Sequence, residues 1–382
     1  MDFSITDEQA MLADSVARFI DNDYTFEQRM RIAEGQAAFS KDVWKTCAEL
    51  GWTAMLFDED DGGLDGGAVE LMLMMEQFGR GLLVEPFVAN VVLAGGVLKR
   101  VANAAQKERW LSGIIDGSLQ AALAFAEPQA RFDAANIVTT ARRDGDDYIL
   151  RGSKTLVLNG GDADLLIIPA RSAGEPTASD GISLFAVDAT ADGLHRQAYK
   201  TVDAHGAAEI TLADVRVPAD KLLGPAGAGH ECLGEVLDDA TFAVAAEASG
   251  IMRTLHDKTV DYSKQRIQFG VPIGSFQALQ HRMVDTLIAC EQTRSLLLWA
   301  AMLRAGQHGA SRRAISALKY QVGHAGRKVA QEAVQIHGGM GVTWEMDIAH
   351  YFKRMTAIDI LFGNADYHLQ RYTGLAAPRA ED

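Results

Sequence analysis

Cysteine, basic charge and long apolar runs are all scarce in this sequence, and each scarcity removes a class of protein. The three cysteines, Cys47, Cys232 and Cys290, lie far apart and make no C-x-x-C pair. That excludes a disulfide scaffold and a cysteine-based zinc site, and it suits a reducing compartment. Lys and Arg number 36 against 51 Asp and Glu, a formal net charge of −15. Such an acidic field is a poor match for nucleic acid or an anionic membrane. The most apolar run, Val88 to Leu98, contains Asn90, Gly95 and Gly96 and is too short to cross a bilayer. Met1 to Glu8 holds no basic region followed by an apolar stretch, so no secretory signal is expected and the default is a cytoplasmic protein. The Gly62–Gly67 loop is not G-x-G-x-x-G after a strand, and there is no P-loop. The ten histidines form no H-E-x-x-H. His281, His324 and His350 read as surface or hydrogen-bonded helix residues, and no metal site is expected.

What is present is 382 residues, 48% hydrophobic and 23% charged, enough for two or three packed domains. The hydrophobic period changes twice. Thr6-x-x-Gln9 has the form of a capping box, and Met11, Val16, Phe19 and Ile20 follow at helical spacing. Further helices are expected over Lys41–Leu50, stopped by Gly51, and over Val69–Phe78. From Ala121 short apolar runs alternate with turn residues, giving candidate strands at 137–141, 148–150, 155–158, 165–168, 182–187 and 209–212. No long helical pattern interrupts them, which favours a small antiparallel barrel or sandwich over parallel βαβ units. After Glu231 helical stripes return, the last fitting Ile348 to Tyr372, and they predict a C-terminal bundle. The fold class expected is α+β, mostly α: a helical domain over 1–120, a β domain over 121–230 and a four-helix bundle over 231–382.

Several strings, in this order of elements, resemble the acyl-CoA dehydrogenase family. The strongest are Arg266-Ile-Gln-Phe269-Gly270-Val-Pro272-Ile with Phe276-Gln277, and Gln335-Ile-His337-Gly338-Gly339-Met-Gly341. Weaker ones are Glu76-Gln-Phe-Gly79-Arg80, Phe125-Ala-Glu127-Pro128, Gly152-Ser-Lys154 and Val215-Arg-Val-Pro218-Ala-Asp220. The resemblance implies FAD, held across a subunit interface. It also implies a glutamate that removes the α-proton of an acyl-CoA thioester while the flavin accepts hydride from the β-carbon. Such a base needs a dry pocket that raises its basicity, and the developing enolate needs hydrogen-bond donors. By the resemblance Arg266 meets the flavin pyrophosphate, a task suited to a fixed multi-donor cation. Phe269 and Gln277 flank the adenine half, and Gln335, Gly338 and Gly339 pass close to the adenosine.

The ring-side and catalytic positions depart from that pattern. The family's E-P-x-A-G-S-D is Glu127-Pro128-Gln129-Ala130-Arg131-Phe132-Asp133 here, and the hydroxyl residue before the glutamate is Ala126. The ring-stacking Trp is Leu156 and the next hydroxyl residue is Leu158. Neither leucine stacks broadly on an isoalloxazine or donates to it. The two positions where family members carry the catalytic glutamate are Phe362 and Ala240. No catalytic residue is therefore assigned, although Asp239 and Asp359 lie nearby.

Contacts made toward a neighbour's flavin survive while those for the chain's own flavin ring, CoA and proton transfer are replaced together. This resembles the small, non-catalytic subunit of heteromeric acyl-CoA dehydrogenases of the pimeloyl-CoA dehydrogenase type. Phe-Glu-Gln-Arg at 26–29, Glu85-Pro86-Phe87 and His350-Tyr-Phe-Lys-Arg354 add to that resemblance. It implies a homologous catalytic partner in an α2β2 heterotetramer, acyl-CoA held mainly by that partner, and electron-transfer flavoprotein as acceptor. Dicarboxylic, steroid side-chain and simple fatty acyl groups all stay open as substrates. Two alternatives also stay open: a homomeric flavoenzyme with Asp239 or Asp359 as displaced base, and a flavin-free scaffold or regulatory paralogue.

Overall fold

Thr6 starts the first helix, α1 (Asp7–Asn22), by reciprocal capping. Its Oγ1 accepts from Gln9 N at 3.2 Å, and Gln9 Oε1 accepts from Thr6 N at 2.9 Å, which satisfies two backbone donors that the helix itself leaves open. The computed structural model describes residues 5–306 and 309–375. The outer ends of the first and third expected domains, 1–4 and 376–382, lie outside the described residues. Among those described, no helix is long and apolar enough to cross a membrane.

Helices α2 (Phe26–Glu34), α3 (Lys41–Glu49) and α4 (Ala68–Gly81) follow. A buried π-helical run, Val88–Gly95, then leads into α5 (Gly96–Val101), α6 (Ala104–Gln106) and α7 (Ser112–Ile115). Eight strands come next: β1 (Ala121–Leu123), β2 (Thr140–Asp144), β3 (Asp147–Leu158), β4 (Leu165–Arg171), β5 (Ile182–Asp188), β6 (Leu194–Lys200), β7 (Gly206–Pro218) and β8 (Leu222–Leu223). They form one sheet in the order β6-β7-β3-β2-β4-β5-β8, with β1 beside β4.

The sheet corrects the expectation of an antiparallel barrel. β1 and β2 both pair with β4 in parallel, so the sheet is mixed. Its path ends at β6 and β8, which no pairing joins, so no closed barrel is formed among the described residues. The runs at 148–150 and 155–158 are one strand, β3, whose register shifts between Leu150 and Gly152 and between Lys154 and Val157. The expected strand at 137–141 mostly precedes β2, which starts at Thr140. β6 carried no apolar signal because its middle residues, His195 to Tyr199, are all exposed on an edge strand.

The remaining helices are α8 (Gly229–Gln265), α9 (Gln277–Ala305), α10 (Ser311–Gln321), α11 (Arg327–His337), α12 (Asp347–Ile360) and α13 (Ala365–Gly374). A two-stranded hairpin, β9 (Ile267–Gln268) and β10 (Val271–Pro272), separates α8 from α9. The single helix expected over Ile348–Tyr372 is divided into α12 and α13 by a turn in which Phe362 and Gly363 have φ of 59° and 112°.

Packing gathers these elements into two compact units. One comprises 1–31, 67–83 and 241–382, with α4 packed on α1 and α9. Within it a Cβ at Gly79 would sit 2.1 Å from Glu247 O, and one at Gly250 would sit 1.9 Å from Glu76 O. Glycine at both positions therefore lets α4 and α8 approach backbone to backbone. The other unit comprises 32–66 and 84–240, with a sheet core that includes Leu150, Leu166, Ile168, Phe185, Ile210 and Val215.

Candidate functional site

The hairpin after α8 holds the first group of expected cofactor residues. Phe269 and Gly270 form its two-residue turn, both with positive φ, 54° and 82°. That is the twist a tight hairpin requires, and it costs a non-glycine residue about 1–3 kcal/mol. The turn carries the Phe269 ring at its tip, 93% exposed and in edge contact with Phe276 at 6.2 Å between centroids. Arg266 sits at the hairpin base, where its N donates to Tyr262 O at 2.9 Å and its O accepts from Ile273 N at 2.8 Å. Its guanidinium is exposed and has no ion-pair partner among the described residues. Gln277 opens α9 and is exposed as well.

The second group lies at the end of α11. Gln335 is exposed on its last turn, and Gly338 stops the helix at φ 61°, ψ −140°, a conformation favourable only to glycine. A Cβ at Gly338 or Gly339 would meet nothing within 4 Å, so both backbones face open space.

Two residues to which the sequence assigned no role in the site bring these groups together. The Tyr262 ring stacks on the His337 ring at 4.3 Å, and its hydroxyl donates to His337 O at 3.4 Å. Beneath them Ile273, Met283 and Ile336 form a small core against Val260, Tyr262 and Leu279. The spacing of Tyr262 four residues before Arg266, and of His337 just before Gly338, was the available signal.

The positions expected to lack catalytic groups lie elsewhere in each unit. Phe362 occupies a turn that is bound from within: buried Lys319 donates to Asp359 O at 3.1 Å and to Gly363 O at 2.6 Å. Burial pushes the Lys319 ammonium down to about 7, against the pull of Asp359. His368 Nε2 donates to Phe362 O at 3.0 Å, and Asn364 caps α13 through Tyr367 N. Asp359 is buried, one carboxylate oxygen paired with Arg327 and the other without a hydrogen bond among the described residues. In the other unit Asp239 pairs with Arg100 at 2.5 Å, and Ala240 is fully buried. Both aspartates considered as displaced bases are thus engaged by guanidinium groups.

Within the sheet unit, Glu127 is the anchor of its loop. It accepts from Val138 N at 2.8 Å, Thr139 N at 3.2 Å, Gln129 Nε2 at 2.9 Å and Lys154 Nζ at 2.6 Å. Lys154 also donates to Pro169 O at 2.7 Å. Burial opposes the charge on each; it lowers Lys154 to about 8, while Lys154 and the other donors hold Glu127 below the usual carboxylate range. The pair is structural, and Arg131 (φ 50°) and Phe132 sit on the loop it pins. Leu156 projects from the β3 bulge at φ 48°, 40% exposed, with its N–H on Glu209 at 3.2 Å. The same Glu209 oxygen accepts from Thr155 Oγ1 at 3.0 Å and Tyr199 OH at 2.8 Å. Thr155 N donates to Ala126 O at 3.0 Å, so Ala126 and Leu156 lie side by side. Neither side chain offers a donor, and the hydroxyls beside Leu156 are already committed to Glu209.

Three family descriptions match consecutive parts of the chain: acyl-CoA dehydrogenase N-terminal domain over 6–118, middle domain over 122–215 and C-terminal domain over 227–373. Acyl-CoA dehydrogenase FadE12 of Mycobacterium tuberculosis is 32% identical over 355 residues, 91% of this chain and 90% of that protein. Among solved structures, the FAD complex of PigA is similar at a TM-score of 0.91 and 26% identity, covering 98% of each chain. The ChsE4-ChsE5 complex from Mycobacterium tuberculosis is similar at 0.89 and 25%, covering 99% of this chain and 100% of that one.

Proposed function

The chain belongs to the acyl-CoA dehydrogenase family, and from that premise we propose that it is the non-catalytic subunit of a heteromeric, FAD-dependent acyl-CoA dehydrogenase. One observation carries the reading. The Arg266 guanidinium, the Phe269 ring and the backbones of Gly338 and Gly339 face outward around one small core, the guanidinium without an ion-pair partner among the described residues, while Phe362 and Leu156 stand where proton transfer and ring stacking need other side chains. An exposed guanidinium and two bare glycine backbones fit the pyrophosphate and ribose of FAD. Bound FAD supplies the hydride acceptor for α,β-desaturation of an acyl-CoA thioester. This chain contributes charge neutralisation and backbone contact at the cofactor's nucleotide end; Phe362 cannot take the α-proton, so that task falls to a partner chain. The ion pairs of Asp239 and Asp359 count against a displaced base in a self-sufficient enzyme. That the Arg266 guanidinium has no ion-pair partner among the described residues counts against a flavin-free scaffold.

The partner proposed is a homologous catalytic subunit in an α2β2 assembly, with electron-transfer flavoprotein as acceptor and a dicarboxylic or steroid side-chain acyl-CoA as substrate. The similarity to a chain of the ChsE4-ChsE5 complex supports a paired assembly. The matched segments support domain divisions near 120 and 230. Purified alone, the chain is expected to be colourless and inactive, and co-purified with its paralogue to show flavin absorbance and dehydrogenase activity. Bright yellow, fully active preparations of this chain alone would sink the proposal.

A further inference from the structure

Two strings noted in the sequence, Phe-Glu-Gln-Arg at 26–29 and His350-Tyr-Phe-Lys-Arg354, meet in the structure although the cofactor contacts do not use them. Arg29 is 1% exposed and His350 3%. Arg29 donates through one terminal nitrogen to His350 Nδ1 at 3.0 Å and through Nε to Leu82 O at 3.3 Å. A guanidinium has no acceptor, so Nδ1 must be unprotonated, and Nε2 carries the hydrogen that it donates to Trp344 O at 2.9 Å. The imidazole is neutral and in one tautomer. Its ring also meets Phe26 at 5.2 Å and Trp344 at 4.7 Å, both edge-on, and Lys353 Nζ lies 4.2 Å from the Trp344 ring centroid.

Trp344 closes the segment that starts at Gly338 and Gly339. We propose that His350 is a positioning residue for 338–344, a neutral bridge between Arg29 and the Trp344 carbonyl whose protonation releases that segment and loosens cofactor held against it. The cofactor half rests on the reading of the site given above; the bridge itself rests on geometry within the chain. Protonated Nδ1 would direct an N–H at the Arg29 guanidinium, removing a hydrogen bond and setting two buried cations in contact. The charged groups facing His350 are Arg29 from α2 and Lys353 and Asp347 from its own helix, and Asp347 is already paired with Lys258 of α8 at 2.9 Å. Burial first, then Arg29 and Lys353, lowers the imidazole pKa, while Trp344 O and Asp347 oppose the shift. The neutral bridge is therefore the state at neutral pH.

The isolated chain tests the bridge without flavin. Ring nitrogen NMR should place the hydrogen on Nε2 at pH 7.5. On acidification, His350 protonation and a change in Trp344 emission, assigned by difference from Trp344→Phe, should coincide below pH 6.5 while far-ultraviolet circular dichroism persists. His350→Gln, which keeps a donor and an acceptor but takes no charge, should lack the transition. An Nδ1–H tautomer, Trp344 emission indifferent to His350 protonation, or a change that occurs only with global unfolding would overturn the proposal. In the complex, wild type should lose flavin affinity measurably between pH 7.5 and 5.5, by less than the roughly tenfold that one group titrating at an unshifted 6.5 could give, and His350→Gln should not. Equal loss in both would overturn the positioning role, whereas a complex that binds no flavin at any pH would defeat the heteromeric reading and leave the Trp344 measurement to decide the bridge.

Discussion

Tyr262 lies flat against His337, ring centroids 4.3 Å apart, and its hydroxyl reaches the His337 carbonyl. This one contact couples the last turn of α8, which Arg266 follows, to the last turn of α11, which Gly338-Gly339 follow. Two stretches some seventy residues apart thus present one outward face, and flavin binding by the complex is expected to depend on both together.

Replacing Tyr262 by Leu should test that coupling. An aromatic pair contributes roughly 0.5–1.5 kcal/mol beyond its buried area, so thermal unfolding should show a loss of that order. Flavin titration of the complex should show weaker binding as well. Unchanged flavin affinity alongside reduced stability would mean that the two segments act separately.

Arg266→Ala removes an exposed guanidinium that supports no internal ion pair among the described residues. Stability should change little. A lost charge-assisted hydrogen bond of about 1.5–3 kcal/mol corresponds to flavin retention roughly 10- to 150-fold weaker in the complex. Measuring the dissociation constant with and without added salt checks both the size and the electrostatic origin.

Phe362→Glu would place a carboxylate at one of the two positions where the proposed reading expects the family's glutamate, but should not create a dehydrogenase. On the proposed reading, Ala126, Leu156, Arg131 and Phe132 still stand in place of the ring-side and CoA-side groups. Single-turnover bleaching of flavin by acyl-CoA in preparations of this variant alone should stay at background; measurable turnover would locate the blockage at Phe362 alone.

His368 should make stability fall in acid. Burial, then the nearby Lys319, lowers its imidazole from 6.5 to about 3, so it is neutral in the folded chain. Between those values the unfolded chain binds the proton and the folded chain does not. The contribution is complete above pH 6.5 and is lost as pH falls toward 3, with a slope of up to about 1.4 kcal/mol per pH unit. Denaturant unfolding at pH 4.5 and 7 should show this loss, and it should be reduced in His368→Asn.

Local signals accounted for much of the fold. Thr6 and Gln9 announced a capping box and formed it. The apolar runs at 165–168 and 182–187 became the buried strands β4 and β5, whereas the tight hairpin at Phe269-Gly270 was not foreseen. β6 was illegible because an exposed edge strand needs no apolar face. The break at Phe362 was also illegible, because the groups that hold it, Lys319 and His368, come from α10 and α13 rather than from its own helix.

By itself, then, the sequence determined the helix-sheet-helix order, the family, and which side chains stand at Phe362, Ala240 and Leu156, since period, capping and residue identity are local properties of the chain. Only the tertiary structure decided that Asp359 faces Arg327, that Asp239 faces Arg100, and that Arg29 meets His350 across 321 positions. An isolated charge or imidazole is compatible with many roles. Its partner selects among them, and that partner is fixed by how distant segments pack, which no local spacing encodes.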